Sequence, residues 1–160
     1  MDTNAWTFEP TPVDHPDAVA VLRDYLIEMI ERYHGRPTTA AEVDEVVAAE
    51  PAAGLAEFLL ARDPAGVVLG CIGLRRLDQS TGEVTKVFLY PAARGSGGGT
   101  RLLAAVEVEA AARGMSVLRL DTRSDLVEAR ALYARNGYRE IPRYNDSRYS
   151  AHWFEKRLTA

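Results

Sequence analysis

Residues 87–103 constrain this chain more than any other stretch. They run Val87-Phe88-Leu89-Tyr90-Pro91-Ala92-Ala93-Arg94-Gly95-Ser96-Gly97-Gly98-Gly99-Thr100-Arg101-Leu102-Leu103. The order is a hydrophobic β-strand, a proline-marked turn, a glycine-rich loop and the start of a helix. Leu102, Leu103, Val106 and Ala110 continue at helical spacing, so the helix has one apolar face. Glycines at a helix N-terminus let several backbone N–H groups converge without Cβ clashes. Those unpaired donors, with the positive end of the helix dipole, suit phosphate oxygens.

The pattern limits which phosphate ligand fits. A P-loop ends Gly-Lys-Ser/Thr, and this loop ends Gly99-Thr100-Arg101 with no lysine. A dinucleotide fingerprint needs an acidic residue about 20 residues on. Asp121 lies 22 residues after Gly99, so spacing alone leaves that reading open. Arg94, Gly97 and Gly99 also meet the pattern Arg/Gln-x-x-Gly-x-Gly/Ala. With the strand before it and Leu-Leu after it, the stretch resembles motif A of the GNAT N-acetyltransferase family. Its members wrap the pyrophosphate of coenzyme A with this loop. Gly98 stands where a larger residue is common in the family, and a slightly looser loop is the expectation.

Around this stretch the chain alternates strands and helices. Trp6 to Pro10 alternates and then meets prolines, as an edge strand does. Asp14 to Asp17 can cap a long amphipathic helix through Ala18, Val21, Leu22, Tyr25, Leu26, Met29 and Ile30. Gly35 and Pro37 stop it. Thr38 or Thr39 can cap a second helix over Ala41–Ala49, closed by Glu50-Pro51. Strands follow at Leu55–Ala61, Val67–Leu77 and Glu83–Tyr90, joined by hairpin-type turns and therefore antiparallel. The glycine-loop helix runs to about Arg113. Val117–Thr122 is a strand reached by a helical crossover, so it lies parallel to the third of that group. A helix with Leu126, Ala129, Leu132 and Tyr133 on one face follows. A short strand begins at Tyr138, and Trp153–Leu158 is the last.

This order resembles the GNAT fold over nearly all of residues 1–160, one α/β (α+β) domain. It implies a mixed, mostly antiparallel sheet whose central parallel strands splay apart between flanking helices. Ala129-x-x-Leu132-Tyr133-x-x-x-Gly137-Tyr138 looks like motif B of the same family. The resemblance implies acetyl-CoA as co-substrate. Backbone around Val87, Phe88 and Leu89 would bond the pantetheine arm and polarise the thioester. Arg94, Gly95, Ser96, Gly97, Gly98, Gly99 and Thr100 would hold the pyrophosphate. The chain departs at Leu126, where many members carry an asparagine that bonds pantetheine.

Amine acetylation needs a neutral amine, a polarised carbonyl and a proton for the departing thiolate. Tyr133 occupies the motif B position that supplies that proton in many members, and a phenol is protonated at neutral pH. Glu83, eleven residues before Arg94, matches the glutamate that serves as base in histone-type members. Tyr33 and His34 fall where the family shapes its acceptor pocket. Tyr149 and His152, just before the last strand, are further substrate candidates, and residues 140–151 are expected to form a loop over the acceptor.

The remaining composition narrows the class. A net charge of −4 with no Lys/Arg stripe argues against nucleic acid. A single cysteine, Cys71, excludes an internal disulfide and sits in an apolar run as a buried residue would. One cysteine and three histidines leave no zinc cluster. No basic-then-apolar leader and no apolar run near 18 residues occur, so a cytoplasmic protein off the membrane is expected. The chain is therefore expected to move acetyl from acetyl-CoA directly to a primary amine, as a monomer or homodimer and without metal. A small molecule is favoured over a protein or peptide amine, because no peptide-binding module is evident. The rival is a non-catalytic acyl-CoA-binding sensor or partner protein.

Overall fold

The computed structural model describes residues 2–49, 52 and 54–158. The elements are β1 (Thr7–Pro10), α1 (Pro16–His34), α2 (Ala40–Ala49), β2 (Glu57–Arg62), β3 (Val68–Arg76), β4 (Thr81–Leu89), α3 (Gly98–Ala112), β5 (Val117–Thr122), α4 (Val127–Arg135), β6 (Arg139–Ile141) and β7 (His152–Arg157). They form one seven-stranded sheet in the order β1-β2-β3-β4-β5-β7-β6. Among the described residues, only β4 and β5 run parallel. This is a single GNAT-like α/β domain, as the element order implied. A doubly wound dinucleotide sheet, mostly parallel, is excluded.

Local rules explain most boundaries. Gly35 ends α1 in the left-handed region at φ 68°, its N–H donating to the Glu31 carbonyl at 2.8 Å. The start of α1 falls within the expected Asp14–Asp17 stretch, with His15 as the capping residue. His15 Nδ1 accepts from the Asp17 N–H at 3.0 Å, and Pro16 takes the first helical position. Thr39 caps α2, its hydroxyl accepting from the Glu42 N–H at 3.2 Å. The expected close at Glu50-Pro51 lies outside the described residues. β4 begins at Thr81, two residues before the predicted start, because the turn is tightened by Asp78, whose carboxylate accepts from the N–H groups of Ser80 and Thr81.

Two apolar clusters cover the sheet. One seats the Leu102–Leu103–Val106–Ala110 face of α3 on Leu59, Ile72, Leu74, Leu118 and Leu120. The other seats Ala18 and Val21 of α1 on Phe58, Leu60, Cys71 and Phe88. The alternation along β2–β4 feeds the two clusters in turn. Among the described residues, no helix is long and apolar enough to cross a membrane.

Candidate active site

The site begins where the parallel pair fails. β4 and β5 stay in register only through Thr81↔Val117, Gly82↔Leu118 and Glu83↔Arg119. Among the described residues, the β4–β5 pairing is registered no further than Glu83, although β4 runs on to Leu89. A bulge helps to turn it away. Gly73 pairs with Thr85 and Cys71 with Phe88, so Lys86 and Val87 together oppose Ile72. Lys86 takes φ 56°, a left-handed conformation that costs a non-glycine residue about 1–2 kcal/mol. The gap opens into a cleft of about 1200 Å³ that extends from the glycine loop to the C-terminal half of α1.

At one end of the cleft the loop forms a cradle of backbone. Gly97 caps α3 at φ 87° with no side chain satisfying the helix's first N–H groups. A Cβ there would meet nothing within 4 Å, so the conformation, not crowding, requires glycine. Gly98 and Gly99 are small for a different reason. A Cβ on Gly98 would lie 2.4 Å from the Trp6 ring, and one on Gly99 would lie 2.8 Å from Leu132. The expected slackness at Gly98 is therefore corrected: the indole of Trp6 fills that space and locks the turn. Asn136 donates to Thr100 Oγ1 at 3.1 Å and ties the end of α4 to the same loop.

The other loop residues divide between cleft and scaffold. Gly95 and Thr100 line the cleft, whereas the Ser96 hydroxyl turns back to the Ala93 carbonyl at 3.3 Å. Arg94 lines the cleft, yet its guanidinium is engaged: Nη2 meets both oxygens of Glu28 at 2.7 and 2.8 Å, and Nε donates to the Leu89 carbonyl. It fastens α1 to the end of β4. Phe88 sends its ring into the α1 cluster, edge-on to Tyr25 and Tyr90. Leu126 precedes α4 without capping it by a side chain. These features suit acetyl-CoA: unpaired helix N–H groups for phosphate, and an open strand edge for an amide-bearing arm.

Tyr133 and Glu83 both line the cleft. Tyr133 is buried against Tyr138 and Phe154, and its hydroxyl makes no hydrogen bond among the described residues. Burial, reinforced by Tyr25 and Asp121, pushes its pKa up, so the phenol is held protonated. Glu83, with a side chain only 10% exposed, is heavily occupied. Arg75 donates to Oε1 at 2.9 Å, Tyr144 to Oε2 at 2.7 Å and Asn145 to Oε2 at 3.3 Å. It also belongs to a row of alternating charge across five strands. Arg75, Glu83, Arg119, Glu155 and Arg139 stand opposite one another in register. Three pairs in that row are ion-paired, Arg75–Glu83, Arg119–Glu155 and Arg139–Glu155.

The far end of the cleft is assembled from side chains. Asp121, two residues beyond Arg119 on the same face of β5, accepts from Asn145 Nδ2 at 2.7 Å and Ser150 Oγ at 2.6 Å. Trp153 Nε1 donates to Asn145 Oδ1 at 2.8 Å. One asparagine thus bridges two carboxylates and fastens the 142–151 segment across the splay. Tyr33 and Tyr149 meet edge-to-face at 5.0 Å, with His34 against Tyr33 at 5.2 Å. His152 does not join them. Strand alternation turns it away from the Trp153 side, and its ring lies 3.3 Å from Glu140. Sequence reasoning missed Tyr144, Asn145 and Asp121 as a unit. Its one signal was an aspartate inside the apolar run Val117–Thr122.

Comparisons with known proteins agree with this architecture. The sequence model of the acetyltransferase (GNAT) family matches residues 20–138. An IAA acetyltransferase of Azospirillum brasilense is 38% identical over 118 residues, spanning 71% of this chain and 74% of that protein. A GNAT-family acetyltransferase of Staphylococcus aureus superposes with a TM-score of 0.74 at 19% identity, over 97% of this chain and 100% of that one. A GNAT-family acetyltransferase of Elizabethkingia anophelis, solved with acetyl-CoA bound, gives 0.68 at 17% identity, over 97% and 99%. The chain belongs to the acetyltransferase (GNAT) family and is an N-acetyltransferase.

Proposed function

We propose that this enzyme transfers acetyl from acetyl-CoA directly to a primary amine of a small molecule. The observation that carries the reading is one cleft holding a backbone phosphate cradle, an open strand edge and a free buried phenol in sequence along its walls. The relative named an IAA acetyltransferase supports acetyl transfer as the chemistry.

In this reading the N–H groups following Gly97 hold the pyrophosphate, and backbone from Val87 to Leu89 bonds the pantetheine arm. Bound acetyl-CoA supplies an acetyl thioester, whose carbonyl carbon takes the amine nitrogen as the C–S bond breaks. A β4 backbone N–H at the splay stabilises the negative charge on the carbonyl oxygen. Tyr133 Oη gives its proton to the departing sulfur and is reprotonated from solvent. Glu83 receives the amine's proton through a lone pair left beside its three donors. Tyr33, His34 and Tyr149 contact the acceptor, while Arg94 holds α1 and the loop in place.

Thiol release on mixing acetyl-CoA with a broad amine panel tests the reading, alongside calorimetry of acetyl-CoA binding. Turnover with at least one primary amine is expected. Tight cofactor binding with no turnover on any amine would make the protein an acyl-CoA sensor instead.

A further inference from the structure

The acceptor end of the cleft has an unequal charge balance. The arginines that line it, Arg32, Arg75 and Arg123, are already engaged by carboxylates, while Arg148, outside the lining, stacks on Tyr149 at 5.6 Å. Arg75 pairs with Glu83, Arg32 with Glu128, and Arg123 with Asp125 through two 2.9 Å bonds. Arg123 also donates to the Met29 carbonyl at 2.8 Å. Asp121, by contrast, is met by the neutral donors Asn145 and Ser150. These leave lone pairs on a full negative charge, and a carboxylate beside an apolar wall attracts a cation strongly.

The wall is aromatic. Tyr33 is 53% and Tyr149 49% exposed, although both line the cleft. Large half-exposed rings at a concave site mark a place where a ligand completes the packing. The structure also links them to Asp121. Arg123, two residues after Asp121 and just past the end of β5, stacks on Tyr33 at 5.5 Å, and Ser150, which donates to Asp121, follows Tyr149 in the chain. The carboxylate and the rings are parts of one end.

We propose that the acceptor is a cationic amine with an aromatic or apolar body and no carboxylate of its own, its ammonium docking on Asp121 and giving up one proton to solvent before the neutral nitrogen attacks, its body lying against the exposed edges of the Tyr33–Tyr149 pair. This rests on the acetyl-transfer reading above and narrows its substrate class. A carboxylate on the acceptor would find the cleft-lining Arg32, Arg75 and Arg123 occupied and would face Asp121 and Glu83. An alkyl- or arylalkyl-amine meets a charge partner at one end and rings at the other.

The test compares matched pairs: 2-phenylethylamine against phenylalanine, and tryptamine against tryptophan, with butylamine and a short peptide as references. The carboxylate-free amines should be favoured in kcat/KM by roughly tenfold or more, about the effect of one charge-assisted hydrogen bond. Asp121→Asn should raise KM for 2-phenylethylamine by a similar factor, narrow its lead over phenylalanine and leave CoA affinity unchanged. Tyr33→Ala and Tyr149→Ala should raise KM for 2-phenylethylamine more than for butylamine. Preference for the amino acids or the peptide would overturn this proposal while leaving acetyl transfer to amines intact. Release of CoA with none of them, cofactor still binding, would overturn both. The wild-type comparison alone decides the class if Asp121→Asn fails to fold.

Discussion

The two ends of the cleft are built by different means. The cofactor end is backbone: residues 87–100, contiguous in sequence, supply a strand edge and a helix N-terminus. The acceptor end is side chain, drawn from α1, β3, β4, β5 and the 142–151 segment, which no short stretch contains. Backbone donors serve any sequence that keeps the turn, whereas a side-chain wall changes with each substitution. One fold can therefore keep its cofactor and vary its acceptor.

Tyr133 lies between the two ends, so its loss should separate them most sharply. Tyr133→Phe keeps the ring against Tyr138 and Phe154 and deletes the proton donor. We expect kcat to fall roughly 10²-fold with the CoA Kd unchanged. A rate equal to wild type would make the tyrosine a packing residue. The pH profile carries a second check. Because burial raises the phenol's pKa above the ordinary value of 10.0, Tyr133 stays protonated through pH 10 in the folded enzyme. The unfolded chain loses that proton earlier, so the stability from this burial is present below pH 10 and declines as pH rises beyond it. An alkaline fall in kcat centred below pH 9 would have to come from another group.

The next largest effect tests what the loop glycines are for. Gly98→Ala places a methyl against the Trp6 ring at a position where neither side can yield freely. Overpacking of this kind costs about 1–3 kcal/mol, which thermal melting would read as a lower Tm. Trp6→Leu removes the obstruction, so the double variant should be less destabilised than the two singles predict. Strict additivity would mean that Gly98 is small for another reason.

That test also shows what could be foreseen. The strand, loop and helix of residues 87–103 were legible because periodicity and turn chemistry are local. So were the parallel crossover to β5 and the arrest of α1 at Gly35. The partners of Gly98 and Gly99 were not, because Trp6 and Leu132 lie far along the chain. Glu83 was foreseen as a lone base, but its register opposite Arg75 and Arg119 puts it in a charged row that only strand pairing creates. His152 was expected in the pocket because it precedes the last strand; the phase of β7 turns it toward Glu140. The Asn145 bridge left no trace, since a polar loop gives no period to follow.

Breaking that bridge should affect only the acceptor end. Asn145→Ala removes the donor shared by Glu83 and Asp121 and the acceptor for Trp153. The 142–151 segment should loosen, raising KM for the amine by about tenfold, the scale of one charge-assisted hydrogen bond. CoA affinity should not change, because the phosphate cradle lies at the other end. A parallel loss of CoA affinity would show that the two ends are coupled, contrary to the division drawn above.

Cys71 should have the smallest effect, although it touches the splay directly. Its thiol donates to the Lys86 carbonyl at 3.3 Å, at the bulge that turns β4 from β5. The side chain is fully buried among Phe58, Leu60 and Phe88, and that burial pushes the thiol pKa up, away from the nucleophilic thiolate. A sulfur–carbonyl hydrogen bond is weak, so the bulge should be held by its backbone pairing. Cys71→Ala is therefore expected to cost about 1 kcal/mol of stability through the small void it leaves. Turnover should stay within a few-fold, and iodoacetamide should leave the folded wild-type thiol unmodified. An acetylated Cys71 in mass spectra, with activity abolished in a folded Cys71→Ala variant, would establish a covalent relay. Acetyl would then reach the acceptor by way of the core side of β3, and the cofactor end would be more than a backbone cradle.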